Sequence, residues 1–139
     1  MTDHSFEEDP SAFAVDVQVR YRDLDPFEHV NNAVYASYLE YARSEYLEAT
    51  LDLPVADYEF VIAGLVIDFH RPVTIDQSVS VHVGTSSVGT SSWTMAYAVV
   101  ADGDVAATGE TTQVWLDDDG DPTPIPEATA RRLRDLAEA

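Results

Sequence analysis

From Ala14 to Tyr21 the chain alternates, with Val15, Val17, Val19 and Tyr21 on one side and Asp16, Gln18 and Arg20 on the other. A period of two predicts a half-buried strand. The segment RDLDPFEHVNN that follows is dense in turn formers and carries Asp25-Pro26, so the chain leaves the strand there. From about Asn32 to Thr50 the period becomes that of a helix. Val34, Tyr35, Tyr38, Leu39, Ala42 and Tyr46 recur at helical spacings, while Glu40, Arg43, Ser44 and Glu48 fall elsewhere on the wheel. Asn31 or Asn32 is the expected N-cap, its side-chain oxygen accepting from an orphan N–H of the first turn, and Pro54 follows the end.

The remainder reads mostly as strand. Phe60 to Phe69 (FVIAGLVIDF) is apolar nearly throughout, the pattern of a central strand, and Gly64 inside it predicts a bulge or a close backbone approach. Three alternating segments follow, carried by Val79, Val81 and Val83, by Trp93 to Val99, and by Val105 to Trp115. Turns separate them at Ser87 to Thr90 and at Asp102-Gly103, the latter a strong hairpin signal. After DDDGDP and Pro126, Glu127 to Ala139 reads as a short helix with Leu133, Leu136 and Ala137 as its stripe. Short connections force antiparallel neighbours, giving an α+β domain with one antiparallel sheet. The long helix, ~27 Å at 1.5 Å per residue, carries tyrosines on more than one side. Either a dimer or a sheet curled around the helix would use that excess apolar girth.

At 139 residues the chain has the length of one domain, 1–139, with residues 1–12 as a loose head. No apolar run approaches ~18 residues, and the first residues are acidic and polar where a signal peptide is basic and then apolar, so a cytoplasmic protein with no membrane partner is expected. Without cysteine there is no disulfide, thiolate metal site or cysteine nucleophile.

Charge alters the picture most. Seven arginines, no lysine and 26 acidic residues give a formal charge of -19, a field that repels nucleic acid and anionic membranes. The acid is scattered along a patterned chain, which makes it a surface coat and not a tail. Acidic coats stripped of lysine suit molar salt, where the Debye length falls to about 3 Å, so a halophilic, salt-adapted setting is expected.

No two of the four histidines, at positions 4, 29, 70 and 82, have metal-pair spacing, and Asp117 to Asp121 lacks the ligand pattern of a calcium loop. Nucleotide-binding loops and the G-x-S-x-G elbow are also missing. What remains is Asp23, Asp25, Glu28 and His29, immediately before a helix start. A helix N-terminus offers free N–H groups and about half a positive charge to an oxyanion, and a nearby carboxylate supplies a base or nucleophile. Together these suffice for acyl transfer to water. The same residues have a purely structural reading, in which Asp25 starts a turn before Pro26 and Asn31 caps a helix; on spacing alone, that reading comes first.

The stretch VRYRDLDPFEHVNNAVYASYLEYARSEYL resembles hot-dog-fold acyl-CoA thioesterases of the 4-hydroxybenzoyl-CoA thioesterase-like branch, which read R-Y-x-D-x-D-x-x-G-H-V-N-N-x-x-Y here. FHRPV, SSWTMAYAVV, the Asp-Gly hairpin, ATGETTQVWLD and the proline-led terminal helix are similar too, over about residues 14–137. The resemblance implies a long central helix wrapped by a five-stranded antiparallel sheet, with a short C-terminal helix. It also implies hydrolysis of an acyl-CoA to free acid and CoA. Asp25 then serves as nucleophile or general base, the backbone N–H of Asn32 as oxyanion donor, Tyr35 lies near the acyl group, and His29 shapes the loop and orients the thioester. Glu40 and Arg43 would pair at i,i+3 in a structural role. Glu28 departs from the pattern, standing where the branch has Gly; a positive φ there would strain it.

The implied partners are an acyl-CoA and further copies of the chain, as a homodimer or homotetramer. No cofactor is implied beyond CoA as part of the substrate, and no metal. An acidic carrier protein would be repelled over a larger surface than CoA, which favours CoA. Its phosphates need local cations, for which Arg71 is the candidate, with Arg131, Arg132 and Arg134 behind it. The alternatives on the same scaffold are an enoyl-thioester hydratase and a non-catalytic acyl-thioester binding module.

Overall fold

The computed structural model describes residues 13–138; the expected loose head lies outside them. The elements run β1 (Phe13–Val17), α1 (Val34–Leu51), β2 (Phe60–Phe69), β3 (Val79–Val88), β4 (Ser92–Ala101), β5 (Asp104–Trp115) and α2 (Glu127–Glu138). All pairings are antiparallel, in the order β1-β3-β4-β5-β2. The α+β reading with one antiparallel sheet therefore stands. Asp102 and Gly103 join β4 to β5 with φ of 49° and 86°, the doubly positive turn whose twist matches the flanking strands.

On α1 the buried residues are Tyr35, Tyr38, Leu39, Ala42, Arg43, Tyr46 and Leu47, a stripe at spacings of three and four. They meet the inward side chains Val81, Val83, Met95, Tyr97 and Val99 in one core. Most of the helix girth is thus taken up by the curled sheet, although Tyr41 stays 49% exposed. Asp52 ends α1 in the left-handed region at φ 53°. Its N–H donates to Glu48 O at 3.1 Å and that of Leu53 to Leu47 O at 3.2 Å, which satisfies the last carbonyls before Pro54. Helix α2 buries Ala130 and Leu133 and packs along β3. Its Arg132 Nε donates to Thr50 O at 3.2 Å, at the C-terminal end of α1.

Two expectations need correction and a third is sharpened. β1 stops at Val17, and Tyr21, expected to face inward, is 84% exposed. Asp23 closes a tight turn over Tyr21–Asp23 by accepting the Arg20 N–H at 2.9 Å, which lifts Tyr21 out of the strand line. β2, expected at the centre of the sheet, is its edge, pairing only with β5 and exposing Val61, Ile62, Leu65, Val66 and Phe69. Phe60 and Ile67 on it still pack against the core, so the continuous apolarity combines a partly covered face with residues left exposed in the single chain. Finally, Gly64 sits at a bulge between Ile62 and Gly64, as expected, but a Cβ on it would only reach Thr112 at 3.7 Å. The close approach is at Gly109, where a Cβ would lie 2.8 Å from Leu39 Cδ1, so this glycine lets α1 press onto the sheet.

Candidate active site

The loop before α1 is a miniature hairpin. Asp25 N–H donates to His29 O at 2.8 Å, Glu28 N–H to Asp25 O at 2.9 Å, and Leu24 bridges Val30. This is a turn over Asp25-Pro26-Phe27-Glu28 followed by a residue in the left-handed region, the three-residue loop in which glycine is favoured at that last position. Glu28 occupies it at φ 66°. The strain foreseen for a non-glycine residue here is therefore present, and the turn forms nonetheless.

Asp25 is half-buried in this turn. Its Oδ1 accepts the Phe27 N–H at 2.9 Å and the His29 N–H at 3.2 Å. These bonds fix the rotation of the carboxylate and leave Oδ2 without a partner among the described residues. The structural reading of Asp25 is thus realised by one oxygen, while the other remains available for chemistry.

Asn31 follows the hairpin, held by its N–H to Asp23 O at 2.8 Å. Its Oδ1 accepts the Ala33 N–H at 2.9 Å and its carbonyl accepts the Val34 N–H at 2.9 Å, so Asn31 braces the turn that leads into the helix; the N-cap itself is Ala33, without a side-chain cap, in place of the expected Asn31 or Asn32. The regular helix begins at Val34, two residues later than the periodicity indicated. The N–H of Asn32, exposed at this start, donates to no acceptor among the described residues.

The loop is held from two sides. Val30 N–H donates to Val73 O at 2.8 Å, and Tyr38 Oη donates to Asp23 Oδ2 at 2.8 Å. Burial, and then the bond to Asp23, push the Tyr38 phenol far above its ordinary range, so it stays a donor. Tyr35 is 2% exposed, its ring edge-on to Phe69 at 5.0 Å and tilted to Tyr38 at 6.1 Å. Burial raises its phenol too. Tyr35 thus supports the start of α1 from within the core.

Arg71 stands two residues before Val73, whose carbonyl holds the loop, but its own contacts lie elsewhere: its N–H donates to Ala106 O at 3.1 Å and its guanidinium pairs with Asp104 at 3.1 Å on the surface. Arg131 pairs with Glu127 at 3.4 Å. Because Arg132 sits at Thr50, the α2 arginines flank the end of α1 opposite to the hairpin, some 27 Å away along an 18-residue helix at 1.5 Å per residue. The Glu40–Arg43 ion pair does not form; Arg43 Nη1 donates to Tyr97 Oη at 3.3 Å. A cleft of about 580 Å³ runs beside the hairpin, with Arg20, Arg22, Asp23, Ser37, Tyr38 and Tyr41 in its lining. Arg20 and Arg22 were not singled out in the sequence because the alternation of β1 accounted for Arg20 as a solvent-facing residue. Their joint placement depends on the turn at Tyr21–Asp23. Among the described residues no three His, Asp or Glu side chains form a metal-binding group, and no helix is long and apolar enough to cross a membrane.

An edge-wrapped helix with a carboxylate-bearing turn at its N-terminus is the hot-dog architecture of thioester hydrolases. Residues 19–133 match the thioesterase-like superfamily, and the chain belongs to that family. It is similar to a thioesterase from Thermus thermophilus, solved with coenzyme A and Zn, at 42% identity over 91% of this chain and 95% of that one, with a TM-score of 0.83. A predicted thioesterase from Bacillus stearothermophilus shares 26% identity over 91% and 96% of the two chains, with a TM-score of 0.82. The DHNA-CoA thioesterase from Staphylococcus aureus, 18% identical over 90% and 92%, shares the fold with a TM-score of 0.81. None of the curated proteins compared matches the chain. The protein is a thioesterase; the zinc of the Thermus structure has no corresponding ligand group among the described residues here, and no step below is routed through a metal.

Proposed function

We propose that this thioesterase hydrolyses an acyl-CoA to the free acid and CoA, with Asp25 and the Asn32 N–H as its reacting pair. The observation that carries this is the division of labour on Asp25: Oδ1 is held by two backbone N–H groups while Oδ2 is unpartnered, directly ahead of a helix start with a free N–H. Oδ2 attacks the thioester carbon, or takes the proton of the water that does. The carbonyl oxygen becomes an oxyanion held by the Asn32 N–H and the positive end of α1, and collapse breaks the C–S bond; the thiolate takes a proton from water or from protonated Asp25 and leaves as CoA-SH, and on the direct route water then cleaves the acyl-Asp25 anhydride to the free acid and the regenerated carboxylate. His29 acts through its backbone, orienting the carboxylate. Arg71, Arg20 and Arg22 supply local positive potential for the CoA phosphates against the overall charge of -19.

The exposed apolar strand β2 supports assembly with further copies. Val61, Ile62, Leu65, Val66 and Phe69 lie on one unpaired edge, an arrangement that a lone chain in water would be expected to cover. A homodimer through this edge, and a homotetramer built from dimers, both cover it.

Thiol release measured over acyl-CoAs of several chain lengths, with an aryl-CoA included, tests the activity. Hydrolysis of at least one is expected, and inertness toward all would reject it. Heavy-oxygen label from water entering Asp25 in a single turnover marks direct attack; label only in the product acid, with no acyl-Asp25 adduct in the quenched reaction, marks general-base catalysis.

A further inference from the structure

Arg43 is a cation in the core. It is 7% exposed, and among the described residues no carboxylate lies within ion-pair distance of it. Its one hydrogen bond goes to Tyr97 Oη, itself 2.7 Å from Thr111 Oγ1, which bonds Gln113; Gln113 Nε2 ends the chain by donating to Trp93 O at 3.0 Å. Every partner in that chain is neutral. A guanidinium carries five N–H donors, so most of its capacity is unused, and a buried charge without a counter-charge is costly to keep.

A second polar group nearby is also unmatched. Tyr58 Oη is buried and has no hydrogen-bond partner among the described residues. Arg43 and Tyr58 line the same cleft of about 520 Å³ between α1 and β2, with Phe60 and Ile62 among its apolar walls. Arg43 also closes a smaller space of about 220 Å³, lined by Ala36, Ser37, Ile62, Leu65 and Thr111. Glu40 is the other charged side chain lining both spaces, but it is exposed and its charge is screened by water, whereas that of Arg43 is not.

These spaces lie on the helix face that begins at the oxyanion donor. Ala36, Glu40 and Arg43 follow one another on α1 at spacings of four and three, and Asn32 stands two residues before the helix start. Arg43 is about 14 Å beyond Val34, the first helical residue, along the axis, and its side chain leans back toward the helix N-terminus, so Arg43 and the Asn32 N–H stand on the order of 10–16 Å apart. An acyl chain of intermediate length, hydrogen-bonded at each end, spans that interval.

Resting on the thioesterase reading, we propose that the acyl group of the substrate ends in a carboxylate, which Arg43 and Tyr58 bind at the far end of the acyl pocket. The carboxylate supplies the counter-charge that Arg43 lacks and accepts the Tyr58 hydroxyl. A methyl terminus leaves both donors unmatched, and a site built around hydrogen bonds discriminates against such an analogue.

Adipyl-CoA and hexanoyl-CoA differ only in that terminus and form the test pair. The expected result is a kcat/KM about tenfold or more higher for adipyl-CoA, lost in Arg43→Gln and reduced about threefold in Tyr58→Phe. Tyr58→Phe removes an oxygen that has no hydrogen-bond partner among the described residues, so it preserves the test if Arg43→Gln fails to fold. Thermal shift with free adipate and hexanoate reads binding apart from turnover. Equal turnover of both thioesters removes the carboxylate subsite and keeps the thioesterase. A rise in Tm with adipate alone, without hydrolysis of either thioester, keeps the subsite and removes the acyl-CoA thioesterase reading. Neither hydrolysis nor shift removes both.

Discussion

Tyr38 Oη donates to Asp23 Oδ2 at 2.8 Å, tying the Asp25 hairpin to the second turn of α1. The same Asp23 oxygen accepts the Arg20 N–H, so one carboxylate joins the end of β1, the hairpin and the helix. Tyr38→Phe deletes the bond while keeping the ring in the core. A loss of about 1–2 kcal/mol in denaturant unfolding is expected, because the Asp23 carboxylate loses one of its two partners and keeps only the Arg20 N–H. A fall in kcat should accompany it, since the hairpin that aims Asp25 loosens. An unchanged kcat at reduced stability would show that the bond serves folding alone.

The raised Tyr38 phenol gives this bond a pH signature. Between the unfolded value near 10.0 and the higher folded one, the folded protein binds more protons than the unfolded chain. The stabilisation is therefore complete below pH ~10 and is lost as pH rises toward the folded value. The Tm gap between the wild type and Tyr38→Phe should be constant near neutrality and narrow above pH ~10. A gap that widens with pH would contradict the assignment.

Glu28 stands at φ 66° where the turn geometry favours glycine. The left-handed conformation costs a non-glycine residue about 1–2 kcal/mol, partly offset by the greater freedom of an unfolded glycine. Glu28→Gly should then raise Tm by about 2–3 °C. A lower Tm would mean that the side chain contributes more than its backbone costs.

The charge of -19 predicts a salt response. Repulsion within the acidic coat should be screened as KCl rises from about 0.1 M to about 2 M, raising Tm by about 10 °C. A Tm indifferent to KCl would remove the halophilic reading of the composition.

Val66 is 58% exposed on the β2 edge. Val66→Glu places a charge where two copies would meet, and the repulsion should shift the mass seen by light scattering toward the 15.3 kDa of one chain. A wild type that already runs as a monomer would contradict assembly through β2.

Much of this was legible in the residue pattern. The alternations of Val79 to Val83, Trp93 to Val99 and Val105 to Trp115 gave real strands because each has one face on the core, and Asp102-Gly103 gave its hairpin because both residues tolerate positive φ. β2 misled for the same physical reason: an apolar run says that a strand is covered on both faces, not whether the cover comes from its own chain. Asp25 and His29 drew notice because turn formers stand just before a helix start, while the roles expected of them and of Asn32 came from the family resemblance and not from spacing. The helpers could not. Tyr38 and Arg43 look like ordinary wheel positions, and Tyr58 like a loop aromatic, until the fold sets Tyr38 against Asp23 and leaves Arg43 and Tyr58 unmatched beside one cleft. Gly109 was missed because its role is set by Leu39, seventy residues away in the chain.

The most direct measurement is thiol release by Asp25→Asn. Asparagine keeps an oxygen that can accept the Phe27 and His29 N–H groups, so the hairpin should persist and Tm should change little. What it removes is the charged oxygen that attacks or deprotonates. Turnover of the best acyl-CoA is expected to fall by about 10³-fold or more with the fold intact; turnover within a few fold of the wild type would contradict the role given to Asp25.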